Sequence, residues 1–318
     1  MTSSERINEA FTLEPQYREY VWGGYRLRPG KQTAEAWVVH EDNRILSGPL
    51  SGKTLGEAAA DRGERLLGAR PFTQTGSRFP LLIKLLDCAD WLSLQVHPNN
   101  SQAESLEGPG HFGKTEAWHV LEADPKAEIL AGFAEGVQPQ QVEDAVRNGS
   151  ILNLAARRAM KTGDTVFIRP GTLHALGPGL LVYEVQQTSN LTYRVYDWGR
   201  PASAGRPLHI EQSLAVLDPE ASGAPIPQPE LTDGGQYGLV TCEYFTLVLI
   251  SGERVPTRLD TLGQTFHTLT AIEGSAEVTG AGWSKTIRRF ETLVVPAAAG
   301  AYEVIPQGKT RVLKASVD

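Results

Sequence analysis

The chain has 318 residues, 41% hydrophobic and 21% charged, enough to bury one large core or two of ordinary domain size. Thirty Lys and Arg stand against 37 Asp and Glu, a net charge of −7, which has the wrong sign for tracking a nucleic-acid backbone and excludes nucleic acid as an expected partner. Cys88 and Cys242 are far apart with no CxxC pair, which excludes a disulfide framework and a thiolate zinc site and fits a reducing compartment.

Along the chain, 32 Gly and 20 Pro punctuate short runs rich in Val, Leu, Ile, Thr and Tyr, the pattern of a mainly β barrel or sandwich. The first residues lack the basic segment and apolar run of a secretory signal, so the expected location is cytoplasmic. Residues 54–67 predict a helix, with Leu55, Ala58, Ala59, Leu66 and Leu67 roughly on one face behind Thr54 as a cap. The most apolar stretch, residues 79–86, is interrupted by Lys84, and no membrane association is expected.

Residues 92–97 (LSLQVH) alternate Ser93, Gln95 and His97 with Leu92, Leu94 and Val96, so a strand sends the three polar side chains to one face. That face is either solvated or lines a site. In residues 113–120 (GKTEAWHV), Lys114, Glu116, Trp118 and Val120 share a face, while His119 falls opposite as a packing or surface histidine. Alone, a Lys–Glu pair on a strand reads as a surface ion pair. A second helical stretch is predicted over 138–160, joining two β regions.

His174 follows the Pro170-Gly171 turn and can return toward the interior that holds His97 and Glu116. Two imidazoles and one carboxylate make a first shell for one divalent metal, and Gln95 can add a neutral oxygen. Such ligands suit Zn²⁺ and admit Mn²⁺, Co²⁺ or Fe²⁺. A single carboxylate leaves the ion with residual positive charge, as a Lewis acid requires, whereas a purely structural staple usually closes with cysteine. Residues 163–174 are partly repeated at 290–300, but Gly300 stands where His174 would be, so the second copy lacks this ligand. Residues 218–236 combine Pro, Gly and acid without apolar periodicity and predict a linker between a metal-containing domain (1–217) and a small all-β domain (237–318).

Seven blocks in order, VWGG (21–24), AEAW (34–37), FPLLIK (79–84), LSLQVHP (92–98), GKTEAW (113–118), PGTLH (170–174) and YEVQQTSNLTYR (183–194), resemble the type I mannose-6-phosphate isomerases of the cupin superfamily, in their short bacterial form. The resemblance implies two cupin-type β-barrels (jelly rolls) with a few helices inserted in the first half. It implies an aldose–ketose isomerase that interconverts mannose 6-phosphate and fructose 6-phosphate through an enediol-type intermediate, with one zinc ion on His97, Glu116, His174 and Gln95. Arg194 is implied as catalytic, and Glu184 and Lys114 stand as proton carriers beside a metal-bound water. Lys84, Ser93, Lys114 and Arg200 are implied for the phosphate and the open-chain sugar, the alternative for Lys84 and Arg200 being ordinary ion pairs.

This chain departs from the cupin pattern by placing Gln95 in the first position of His-x-His. Residues 98–112 form a polar, glycine-containing insertion expected to cover the site, and Gly113 stands where longer relatives carry histidine. Competing readings are an isomerase for another sugar phosphate, a non-catalytic sugar- or metal-binding cupin, and a metal-dependent oxygenase. No motif fixes the oligomeric state.

Overall fold

The structure is a computed structural model that describes residues 7–200 and 206–318. It is mainly β, and the strand pairs whose register is described are antiparallel. Contacts divide the chain into two compact units: one drawn from Met1–Gln16, Trp37–Lys84 and Pro229–Asp318, the other from Tyr17–Ala36 and Leu85–Gln228. The expected barrels take the form of open sheets; no sheet closes on itself among the described residues.

In the unit rich in C-terminal strands, a six-stranded sheet runs Phe11–Thr12, Thr292–Val295, His267–Glu273, Thr310–Ser316, Thr246–Gly252, Gly235–Thr241. A four-stranded sheet runs Thr257–Asp260, Ala301–Pro306, Ser275–Gly280, Trp283–Arg288. Alternate residues from both, including Leu269, Leu293 and Val312 with Val278, Ile287 and Val304, form one core. This grouping differs from the linear division expected at 218–236, because residues 37–84 join the C-terminal strands. Phe79 stacks on Phe266 with ring centroids 4.6 Å apart, and Phe266 N–H donates to the Leu67 carbonyl. Such non-local pairings leave no mark in a linear composition shift. The 218–236 segment is itself pinned: Ile226 and Thr165 exchange backbone hydrogen bonds at 2.7 and 2.9 Å.

The other unit holds the five-stranded sheet Tyr193–Tyr196, Leu94–Val96, His174–Leu176, Glu128–Phe133, Ala155–Ala159. Opposite it lie Leu180–Gln187, Glu116–Ala123 and Thr165–Ile168, which belong to a six-stranded sheet whose remaining strands are Gln16–Arg18, Glu35–Val39 and Leu81–Cys88. Trp118, Val120, Val166, Ile168 and Val182 meet Ile129, Ala131 and Leu176 in a shared core. Leu94, Val96, Ala175 and Val195 point the other way, beneath Val142, Ala145 and Val146 of helix Pro139–Asn148. From Leu94 to His97 the alternation therefore separates two packed sides, with Leu94 and Val96 under the helix and half-buried Gln95 and buried His97 toward the facing sheet, while Leu92 packs in the core between the sheets.

The helices follow local rules. Thr54 caps Leu55–Arg62 in a capping box with Glu57. The stretch expected at 138–160 stops at Gly149, which is left-handed (φ 78°), and continues as strand Ala155–Ala159 paired with Glu128–Phe133. The insertion at 98–112 contains helix Asn100–Glu107, capped by Asn99. No helix among the described residues is long and apolar enough to cross a membrane.

Candidate metal centre

Strand register brings the polar residues together. His174 pairs with Gln95 on one strand, and Arg194 pairs with Gln95 from its other side, so the three side chains share one face of the five-stranded sheet. Across the core, Glu116 pairs with Gln186 and Ile168, and Trp118 with Glu184 and Val166, placing Glu116, Trp118 and Glu184 on one face. His97 follows the strand Leu94–Val96, and its carbonyl accepts from Gly171 N–H at 2.9 Å, which ties the Pro170-Gly171 turn to it.

His97, Glu116 and His174 are all buried, and their ligand atoms lie within 4.8 Å of one another. Glu116 Oε1 is 3.3 Å from His174 Nε2, and Glu116 Oε2 is 3.6 Å from His97 Nε2. Ligands about 2.0–2.2 Å from a tetrahedral ion stand about 3.3–3.6 Å apart; both carboxylate–imidazole separations fall in that range, one from each Glu116 oxygen, and with all three donors within 4.8 Å the set can close on one divalent metal. Burial pushes His174 down to about 4, and its Nδ1–H donates to the Thr172 carbonyl at 2.8 Å. The imidazole is thus neutral at neutral pH with its lone pair on Nε2, the form a metal ligand needs.

Gln95 Nε2 stands 3.2 Å from His174 Nε2, and Gln95 Oε1 accepts from Ser93 Oγ at 3.3 Å. Rotating that amide by half a turn exchanges the two atoms and presents an oxygen beside His174. Lys114 Nζ is 2.9 Å from Glu116 Oε2, and both residues are buried, so the pair is not the surface ion pair its spacing permits. Glu184 Oε2 accepts from Trp118 Nε1–H at 2.9 Å, and the Trp118 ring meets His174 edge-on at 5.4 Å. His119, on the opposite face, is buried against Thr165 Oγ1 at 3.0 Å and has a packing role.

The remaining candidates sit differently. Arg194 is half-buried and its Nη1 donates to the Pro207 carbonyl at 2.8 Å. Arg200 is engaged with Asp197 at 3.1 Å, Asp90 at 2.7 Å and the Trp91 carbonyl at 2.9 Å, the ion-pair alternative for this residue. Lys84 is buried in the strand Leu81–Cys88 with its ammonium 5.6 Å from the Trp37 ring centroid. At Gly113 an added Cβ would come within 2.5 Å of the Asn99 carbonyl carbon, so this backbone leaves no room for a histidine there. Trp118 as the donor that orients Glu184, and Thr172 as the acceptor that orients His174, are roles that single-strand alternation does not reveal. Both depend on who lies across the sheet or turn.

A family model described as the catalytic domain of type I phosphomannose isomerase matches residues 10–116. A mannose-6-phosphate isomerase of Streptococcus mutans is 39% identical over 222 residues, covering 66% of this chain and 68% of that protein. A probable mannose-6-phosphate isomerase of Bacillus subtilis is 32% identical over 311 residues, covering 92% and 95%. The crystal structure of mannose 6-phosphate isomerase from Bacillus subtilis matches with a TM-score of 0.85 at 29% identity, over 96% of this chain and 99% of that one. Shared sequence along nearly the whole length, on a shared fold, establishes that the chain belongs to the type I mannose-6-phosphate isomerase family.

Proposed function

We propose that this chain interconverts mannose 6-phosphate and fructose 6-phosphate at the His97–Glu116–His174 cluster, with zinc as the bound ion and Gln95 as an additional oxygen donor. The observation that carries this reading is the convergence of two imidazoles and one carboxylate, with spacing suited to one ion, beside Lys114, Glu184 and Arg194. A divalent ion held by His97, Glu116 and His174 would supply Lewis acidity to the open-chain sugar.

The chain's own groups carry the proton. Glu184, oriented by Trp118, takes the proton from C2 of the aldose while the C2–H electron pair forms the C1–C2 double bond and the carbonyl electrons move onto O1. The Arg194 guanidinium stabilises the resulting negative oxygen. Returning the C2 proton to C1 and moving the O2 proton to O1 completes the ketose, so atoms and charge balance without an outside oxidant. The Lys114 ammonium, held against Glu116, adds positive charge beside the cluster, and Ser93 holds the Gln95 amide. A second reading gives the proton transfer to Lys114, on the strength of its burial beside the ligands. Glu184→Gln and Lys114→Met separate the two: the first reading expects the larger fall in kcat for Glu184→Gln, with metal content retained. Native turnover in both Glu184→Gln and Arg194→Ala would contradict the roles assigned here.

A further inference from the structure

Tyr193–Tyr196 is the edge strand of the five-stranded sheet, so among the described residues one side of its backbone has no neighbouring strand. At Arg194 that side is filled by one residue. Arg194 N–H donates to His209 Nδ1 at 3.1 Å, and His209 N–H donates to the Arg194 carbonyl at 2.8 Å. Together they reproduce a hydrogen-bonded pair of an antiparallel ladder, with an imidazole nitrogen in place of a carbonyl. His209 is also the cap residue of helix Ile210–Val216, yet its side chain makes no capping bond there. Two residues earlier, the Pro207 carbonyl accepts from Arg194 Nη1, so one short segment holds both the backbone and the guanidinium of Arg194.

We propose that His209 is a positioning residue for the isomerisation: its neutral imidazole fixes the Arg194 backbone, and its protonation releases Arg194 and lowers turnover. The inference rests on the catalytic reading of Arg194. As an acceptor, Nδ1 must be unprotonated, and an imidazolium would set N–H against N–H. The groups facing His209 are Arg194 and Tyr193 from the strand and Glu107 from helix Asn100–Glu107, with the Tyr193 ring centroid 6.2 Å away and its hydroxyl donating to Glu107. Burial and the Arg194 charge hold His209 below its ordinary value against the pull of Glu107, which keeps the acceptor form at neutral pH.

The test compares His209→Ala, His209→Asn and Arg194→Ala in kcat, KM and bound metal, with kcat followed from pH 5 to 8. His209→Ala should lose on the order of tenfold or more in kcat at pH 7.5, since small misplacements of a catalytic group carry such costs, with metal content unchanged. His209→Asn keeps an oxygen that can accept the same N–H but cannot titrate, so it should recover most of the turnover and lose the part of the acid limb due to His209. Native kcat in His209→Ala, or an unaltered acid limb in His209→Asn, overturns the positioning role while an impaired Arg194→Ala leaves the catalytic reading standing. Full activity in Arg194→Ala overturns both.

Discussion

His267 gives a sharp prediction about pH and stability. It lies on the inner face of strand His267–Glu273, 4% exposed, with Nδ1 2.7 Å from the Tyr302 hydroxyl. Burial, reinforced by the Lys314 ammonium, pushes it from its ordinary 6.5 down to about 3. Because the folded value is depressed, the unfolded chain takes up the proton first. This contribution to stability is therefore fully present above pH 6.5, falls as pH drops below it, and levels off near pH 3. At about 1.4 kcal/mol per pH unit once the unfolded imidazole titrates, the loss between pH 7.5 and 4.5 is about 2.7 kcal/mol. Carboxylates titrate in the same range, so the measurement is a difference: urea unfolding of the native chain and of His267→Gln at pH 7.5, 6.5, 5.5 and 4.5. The glutamine can still bond Tyr302 but carries no proton, so whatever stability gap exists at pH 7.5 should shift in the variant's favour by about 2.7 kcal/mol at pH 4.5. A gap that stays constant across this range would refute the reasoning.

Other perturbations act through named contacts. Thr54→Ala removes the acceptor for Glu57 N–H (3.1 Å) and should cost about 1 kcal/mol, a fall of about 2–4 °C in Tm by calorimetry. Arg26→Ala keeps the backbone N–H that donates to Asp87 Oδ2 but removes the guanidinium whose Nε donates to Oδ1 at 2.7 Å, leaving the charge of Asp87, 1% exposed, without its cation; urea unfolding should show a loss of about 3 kcal/mol. His97→Ala and His174→Ala should each lower bound metal measured by elemental analysis, and a variant inactive at full metal content would remove that residue from the ligand set.

What the sequence discloses and what it hides divide along local and non-local physics. Alternation in LSLQVH and GKTEAW places Gln95, His97 and Glu116 on polar faces, and the structure turns those faces inward. The Thr54–Glu57 box is legible because its two bonds span three residues. The break of the expected 138–160 helix is also local, at Gly149, but competes with helical patterning that runs past it. Pairing is another matter: nothing in the chain order says that Gln95 lies between His174 and Arg194, or that Trp118 reaches Glu184. Arg200 looks like an available cation in one dimension, and only its neighbours Asp90 and Asp197 reveal its engagement. His209 carries no motif at all, since its role comes from filling the edge of a strand fifteen residues away.

Metal-dependent isomerisation at the His97–Glu116–His174 cluster is the central property to test. The direct measurement follows fructose 6-phosphate formed from mannose 6-phosphate by chelated protein, by the same protein after zinc is restored, and by Glu116→Gln in parallel. Activity lost on chelation, regained with zinc and absent in Glu116→Gln is the predicted result. Full turnover by thoroughly chelated protein, or by a Glu116→Gln variant that binds no metal, would contradict it.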